Sequence, residues 1–252
     1  MIKIIMHGCN GKMGQVISDL VKQDPEVEIV AGLDATDKFD NGFPVFTNIF
    51  ECNVEADVII DFSIAKAVDP LIEFAKEREL PLVLCTTGLS EAQLKNVQEA
   101  STFIPILRSS NMSLGVNALV SLVKAATEML ANNNYDIEII EKHHNLKVDA
   151  PSGTALMFSE AINSVLKDPY AYNYDRHDAS VPRPKNEIGM HTVRGGTIVG
   201  EHSILFAGQD EVIEFKHTAQ SKAIFANGAI KAAKYLSTKT KGMYDMNNVI
   251  FG

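Results

Sequence analysis

Cysteine is scarce in this sequence. Cys9, Cys52 and Cys85 are the only three in 252 residues, odd in number and scattered, so no disulfide framework is implied. Positive charge is short as well: 23 basic against 32 acidic residues give a net charge of −9. That balance argues against nucleic acid or an anionic membrane as the main partner. An anionic ligand must then be met by local positive groups rather than by the overall field. Neither H-E-x-x-H nor paired C-x-x-C spacing occurs, so a metal site is not expected despite a histidine pair. The N-terminal Met1-Ile-Lys-Ile-Ile-Met6 runs straight into a glycine motif, with no signal-peptide layout and no long apolar span. A soluble, cytosolic (cytoplasmic) chain is expected.

What remains is ordinary globular material, 46% hydrophobic and 22% charged, long enough for one large domain or two modest ones. Ile2 to Met6 is a short β-branched run suited to a strand buried on both faces. Gly8-Cys-Asn-Gly11-Lys-Met-Gly14 follows, and then Met13, Val16, Ile17, Leu20 and Val21 recur at helical spacing. Glu28 to Leu33 reads as a second strand ending at Asp34, twenty positions beyond Gly14. A βαβ dinucleotide unit places there the carboxylate that accepts ribose hydroxyls, while its glycines let the backbone approach a pyrophosphate at the helix N-terminus.

The alternation continues. Strands are expected over 56–62, 80–85 and 103–107, with helices over 65–79 and from the capping box Ser90–Gln93 to Ala100. Strands apolar throughout and alternating with helices mean a parallel doubly wound sheet, with ligands over the carboxyl ends of the strands. Three polar loops share that address: Phe62-Ser63, Cys85-Thr-Thr-Gly88 and Ser109-Ser-Asn-Met-Ser113. Each could be an ordinary turn; together they point to nicotinamide and ribose contacts. No base is placed beside Cys85, which reads as a small buried residue rather than a nucleophile.

Beyond a long helix from Leu114 to about Asn132 and a strand from Tyr135 to Glu141, the rhythm changes. A helix over about 152–166 precedes three successive strands, 187–193, 197–206 and 211–217, with turns at Arg194-Gly-Gly196 and Gly208-Gln-Asp210. They suggest an antiparallel or mixed sheet with one open face, usable for oligomerisation. A final helix over 221–236 could return to the first domain. The segment 168–186, rich in Asp, Pro, Tyr and Asn, is the expected disordered piece. The fold class is thus α/β: an N-terminal Rossmann-type parallel-sheet domain, 1–113 completed by 222–252, and a smaller α+β mixed-sheet domain, 114–221.

The densest chemistry lies in Glu141-Lys-His-His-Asn-Leu-Lys-Val-Asp-Ala-Pro-Ser-Gly-Thr-Ala155. His143 and His144 can donate protons near neutral pH and offer N–H groups to a carboxylate. Lys147 adds a positive charge. Gly153 and Thr154, after Pro151, open a helix whose backbone amides and hydroxyl suit a second carboxylate. A small, doubly charged acid fits this segment.

These motifs, with Val193-Arg-Gly-Gly-Thr-Ile-Val-Gly-Glu-His202 and Phe225-Ala-Asn-Gly-Ala229, span nearly the whole chain, which closely resembles the 4-hydroxy-tetrahydrodipicolinate (dihydrodipicolinate) reductase family. The resemblance implies a cytosolic homotetramer that reduces a cyclic unsaturated dicarboxylate with NADH or NADPH in lysine and diaminopimelate biosynthesis. It implies His143 as proton donor/acceptor and Lys147 as second proton donor, with His144, Gly153 and Thr154 on the substrate carboxylates. It implies cofactor contacts from Gly8, Cys9, Asn10, Gly11, Lys12, Met13, Asp34, Cys85, Thr86, Thr87, Ser109, Ser110, Asn111 and Met112. Two positions depart from the family pattern. Cys85 stands where a glycine is usual, and Ala35 where some members carry an arginine suited to a 2′-phosphate. Asp34 without that arginine favours NADH, softened by nearby Lys38. The rivals are another Rossmann oxidoreductase, such as a sugar dehydrogenase with Glu-Lys-Pro at the comparable strand end, and a non-catalytic nucleotide sensor.

Overall fold

The computed structural model describes residues 1–177 and 179–252. The elements begin with β1 (Ile2–His7), α1 (Lys12–Val21), β2 (Val27–Leu33), β3 (Val45–Phe46), β4 (Val58–Asp61) and α2 (Val68–Glu77). They continue with β5 (Leu82–Leu84), α3 (Glu91–Ala100), β6 (Pro105–Arg108), α4 (Leu114–Leu130), β7 (Asp136–His143) and α5 (Gly153–Asn163). The last are β8 (Ala171–Asn173), β9 (Glu187–Arg194), β10 (Gly200–Ala207), β11 (Val212–Ala219), α6 (Ala223–Leu236), β12 (Gly242–Tyr244) and α7 (Met246–Phe251). The chain divides into two compact units, Met1–Leu114 with Ala223–Gly252, and Gly115–Lys222.

The first unit is built on a seven-stranded parallel sheet in the order β12-β6-β5-β4-β1-β2-β3. Alternate residues of its strands feed two cores. Ile4, Met6, Ile60 and Val83 pack against Ile17 and Val21 of α1 and the alanines of α6. Ile5, Ile59, Leu82 and Leu84 pack against Leu71 and Ala75 of α2 and Val97 of α3. Burial on both faces is why these strands read as unbroken apolar runs. The capping box at Ser90 and Gln93 is present. The strand order reverses at β1, whose neighbours are β2 and β4, which opens the crevice where such sheets take ligands.

The second unit holds a mixed five-stranded sheet, β11-β10-β7-β9-β8. The three strands successive in sequence are not three neighbours in space: β7 inserts between β9 and β10, parallel to the first and antiparallel to the second. Ile137, Ile139, Phe206 and Ile188 pack on Val123 of α4 and Phe158 of α5. On the opposite face of the sheet, Val193 and Val212 are exposed. The stretch Leu114–Asn133 is long and apolar enough to cross a membrane by length and composition. Its Val116, Val123 and Ala126 are buried in this core, as a core helix requires.

The segment 168–186 departs from the expected disorder. It contains β8, paired with β9, and Arg183, which donates to Glu138 Oε1 at 2.7 Å, Asp136 Oδ1 at 2.9 Å and the carbonyls of Ile137 and Glu187. A guanidinium with this many acceptors ties down a loop that composition alone reads as loose. Asp178 lies outside the described residues. The two- and three-residue strands β3, β8 and β12 carry too little alternation to be read from sequence, and the expected helix over 65–79 is a 3-10 turn, Ala65–Ala67, followed by α2.

Candidate active site

In the first unit the glycine motif forms the turn from β1 to α1. Gly8 has φ +80°, and a Cβ there would lie 2.5 Å from Phe62 O. The Gly8 N–H donates to Leu33 O at 2.8 Å, and Gly11 N–H to Gly8 O at 3.0 Å. Gly11 is the N-cap of α1 with no side-chain cap, so the helix start is left open to an anion. Asp34 follows β2, and its Oδ2 accepts the Asn10 N–H at 2.9 Å. Asn41 donates to Asn10 Oδ1, and Gln15 to Asn41 Oδ1 and to Cys9 O.

The other loops gather at the same edge of the sheet. Thr86, after β5, accepts the Ser63 N–H on its Oγ1 at 3.1 Å. His7, the last residue of β1, pairs its Nδ1 with Asp61 Oδ1 of β4 at 2.8 Å; Asp61 is fully buried and its Oδ2 has no partner. After β6, Ser109 Oγ donates to Asn111 O, and Asn111 Oδ1 accepts the Ser113 N–H. Gly8–Met13, Asp34, Cys85–Thr87 and Ser109–Met112 thus all stand at strand carboxyl ends within one unit. Cys9 and Met112 have buried side chains and can meet a cofactor only through backbone. Burial drives the Cys9 thiol up to about 11 and pushes that of Cys85 up as well, with the charge of Asp61 acting in the same direction; neither is a thiolate nucleophile. A cavity of about 480 Å³ lined by Met1, Pro25, Val27 and Phe43 lies at the opposite, amino ends of β1 and β2.

In the second unit β7 alternates strictly, so Ile137, Ile139, Glu141 and His143 are its buried residues. Period-2 geometry therefore carries a carboxylate and an imidazole onto the face that α4 and α5 cover. Glu141 is 1% exposed and accepts five hydrogen bonds. They come from Arg194 Nη2 (2.7 Å) and Nη1 (2.8 Å), His143 Nδ1 (2.5 Å), the Ser152 N–H (3.0 Å) and Thr192 Oγ1 (3.2 Å). His143 stands edge-on to His202, ring centroids 5.2 Å apart, and its Nε2 faces Gly200, where a Cβ would lie 3.1 Å away. Ser152 caps α5 by accepting the Ala155 N–H, and its Oγ lies 3.0 Å from His202 Nε2. Gly153 and Thr154 are the first residues of α5, the former exposed. His144 is half-buried just past the strand. Lys147 is ion-paired to Asp149 Oδ1 at 2.8 Å.

The models of the family described as "Dihydrodipicolinate reductase" match both parts of the chain, the N-terminus at residues 2–112 and the C-terminus at 115–250. A 4-hydroxy-tetrahydrodipicolinate reductase of Caldanaerobacter subterraneus subsp. tengcongensis is 54% identical over 250 residues, 99% of this chain and 98% of that protein. Another, from Clostridium novyi, is 49% identical over the same shares. The chain belongs to the dihydrodipicolinate reductase family. Its fold matches the dipicolinate-bound dihydrodipicolinate reductase of Paenisporosarcina sp. TG-14 with a TM-score of 0.83 at 23% identity over all of both chains. A myo-inositol dehydrogenase of Corynebacterium glutamicum shares the fold more distantly, TM-score 0.57 at 14% identity over 99% of this chain and 92% of that one. The chain is thus a pyridine-nucleotide-dependent oxidoreductase, with the Rossmann-type sheet and the second, mixed sheet of the expected class.

Within this candidate site, electrostatics separates the titrating groups. Burial raises the Glu141 carboxyl, but Arg194, His143 and the Ser152 N–H more than offset it and hold it below its ordinary range. Burial lowers His143; Glu141 acts against that, while Lys147 and Arg194 add to it. Burial, then the charge of His143, takes His202 down to about 4, so it stays neutral near pH 7. Sequence reasoning passed over Glu141, Ser152, Thr192, Arg194 and His202 as site residues. The period-2 pattern of β7 could have found Glu141, because a charged residue on an otherwise apolar face demands a partner. Arg194 and Thr192 lie about fifty positions away and come alongside only through the β7–β9 register. Among the described residues no group of three or more His, Cys, Asp or Glu could hold a metal ion.

A dinucleotide fits the first unit: the glycines leave room for it, the start of α1 is uncapped, and Asp34 stands at the end of β2. Asp34 already accepts one N–H on Oδ2, which orients its other oxygen for a ribose hydroxyl.

Proposed function

We propose that the chain reduces 4-hydroxy-tetrahydrodipicolinate to tetrahydrodipicolinate with NAD(P)H, as a step of lysine and diaminopimelate biosynthesis. The observation that carries this reading is the His143 imidazole, held by Glu141 beside the start of α5, in a chain of this family. Overall, the substrate loses water and gains a hydride and a proton. The reduced nicotinamide supplies the hydride when bound. Residues 1–113 with 222–252 bind the dinucleotide, and residues 114–221 bind the dicarboxylate and form a homotetramer; the exposed Val193 and Val212, on the face of the sheet away from the helices, favour a covered sheet face.

The chain's own contribution is binding and proton handling. The amides of Gly153 and Thr154 at the start of α5, the Thr154 hydroxyl and His144 seat the carboxylates. His143 Nε2 delivers the proton to the centre made electron-rich by reduction, and Lys147 is the second donor. In the free protein burial keeps His143 easy to deprotonate. Two arriving carboxylates favour its charged form and so load the proton when substrate is present. Lys147 must exchange its Asp149 partner for substrate, which costs little because Asp149 is exposed.

For the cofactor, Gly8, Cys9, Asn10, Gly11, Lys12 and Met13 line the pyrophosphate turn, Asp34 takes the ribose, and Cys85, Thr86, Thr87, Ser109, Ser110, Asn111 and Met112 take the nicotinamide side. Both cofactors are used and NADH is preferred, because Asp34 would face a 2′-phosphate with only exposed Lys38 nearby in sequence. Work in the cytoplasm accords with this cofactor. The test is consumption of NADH when the condensation product of pyruvate and aspartate semialdehyde is supplied. No turnover with either cofactor would refute the reading. A sugar substrate finds less support, since the position after Glu141-Lys142 holds His143 rather than proline.

A further inference from the structure

His143 exchanges the proton in the proposed reaction, but Glu141 is the group around which the site is built. A carboxylate 2.5 Å from an imidazole would by itself hold the ring protonated. Here Arg194 grips the same carboxylate with two hydrogen bonds of 2.7 and 2.8 Å, and its own Nη2 also donates to Asp149 O. The charge beside His143 is thereby nearly balanced, while the orientation of the carboxylate is kept. One ring nitrogen, Nδ1, is committed to Glu141, and the other, Nε2, faces Gly200, which has no Cβ to cover it.

We propose that Glu141, with Arg194 as its counter-ion, is the positioning residue for proton transfer. It fixes Nδ1 as the protonated nitrogen of neutral His143, so that Nε2 is the atom that exchanges the proton, and Arg194 sets how strongly that proton is held. The proposal rests on the reading of His143 as the acid. The charged groups facing His143 are Glu141 on its own strand, Lys147 and Asp149 in the following loop, Arg194 on β9 and the neutral ring of His202 on β10. Opposed substitutions separate this from a merely structural network. Glu141→Gln keeps the shape, removes the negative charge and leaves Arg194 unopposed. Arg194→Gln leaves the carboxylate unopposed.

The experiment follows His143 in the full-length protein by NMR titration of its ring nitrogens, which needs no substrate, and measures kcat and KM against pH with NADH and the dicarboxylate. Glu141→Gln is expected to lower the His143 midpoint by about one pH unit or more and Arg194→Gln to raise it; the double variant returns toward wild type. In turnover, Glu141→Gln should lower kcat at neutral pH at least tenfold, with a smaller change in KM, and move the alkaline fall of activity to lower pH. Midpoints that coincide in wild type and both single variants would overturn the proposal, as would unchanged kcat in Glu141→Gln. If Glu141→Gln does not fold, an Arg194→Gln midpoint that fails to rise has the same force. A wild-type protein inactive on the dicarboxylate would instead overturn the reaction, and the ring titration would still decide the role of Glu141.

Discussion

Three glycines of the first unit separate backbone strain from steric overlap, because the structure gives them different combinations of the two. Gly42 has φ +75° and nothing within 4 Å of the place a Cβ would take, so Gly42→Ala meets strain alone. Gly14 lies in α1 with an ordinary φ, but a Cβ there would overlap Gly8 O and the Cys9 backbone. Gly8 combines φ +80° with a Cβ 2.5 Å from Phe62 O and 2.9 Å from Phe62 C. Adopting positive φ costs an alanine about 1–2 kcal/mol, and forcing a methyl into packed surroundings costs about 1–3 kcal/mol. Gly42→Ala should therefore lose roughly 1–2 kcal/mol, Gly14→Ala roughly 1–3 and Gly8→Ala roughly 2–5. At about 2–4 °C per kcal/mol for a chain of this size, Gly8→Ala should lower Tm by roughly 4–20 °C. Thermal denaturation and NADH titration of the three variants check this. Gly42→Ala should keep wild-type NADH affinity, while the other two should lose most of it, because the turn that meets the pyrophosphate must shift. The sharpest outcome is Gly14→Ala: helix propensity alone would stabilise it by about 1 kcal/mol, so a raised Tm there, or a Gly8 variant no worse than the Gly42 one, would refute the reasoning.

Further outcomes are open to simple assays. His202 has a folded pKa of about 4 against about 6.5 unfolded; its stabilisation is therefore complete above pH 6.5 and lost as pH falls toward 4. The full loss is roughly 3 kcal/mol, and denaturant melts at pH 7, 6, 5 and 4.5 should show a slope that His202→Asn flattens. Phe158 is fully buried in the second unit's core, so Phe158→Ala should cost about 3–5 kcal/mol in the same melts. Ala35→Arg should raise kcat/KM for NADPH relative to NADH by roughly tenfold or more, the worth of a charge-assisted hydrogen bond to a phosphate; an unchanged ratio would mean that position 35 does not meet the 2′-phosphate. Gly200→Ala places a methyl 3.1 Å from His143 Nε2 and should lower kcat with little change in NADH affinity; unaltered turnover would place the reacting nitrogen elsewhere.

Much of the first unit was legible because its signals are local. The capping box at Ser90 needs only residues three apart, and buried parallel strands announce themselves as apolar runs. The glycines at 8 and 14 mark the turn because only glycine tolerates the approach of Phe62 O and Gly8 O there. The short strands β3, β8 and β12 were not legible, since two or three residues carry no period. The ordering of the described residues of 168–186 was hidden too: the pairing of β8 with β9 and the side chains of Arg176 and Arg183 anchor them to β7, β9 and Glu187, and composition cannot weigh such contacts. In the second sheet the strands were recognisable but their order was not, because pairing depends on which apolar faces meet rather than on succession along the chain.

The sequence by itself determined the dinucleotide turn, the strand-end address of the polar loops and the proximity of His143, Lys147 and the start of α5, since all of these depend on spacings of a few residues. The tertiary structure alone decided what surrounds His143. Arg194 reaches Glu141 only because β9 runs parallel beside β7, and His202 and Gly200 arrive from β10 on the other side. Burial of Glu141 and His143 together follows from that sheet order. That enclosure lowers the proton affinity of His143, while in Glu141 the hydrogen bonds from Arg194 and His143 outweigh burial and lower it; these opposed causes give a carboxylate and an imidazole their separate tasks.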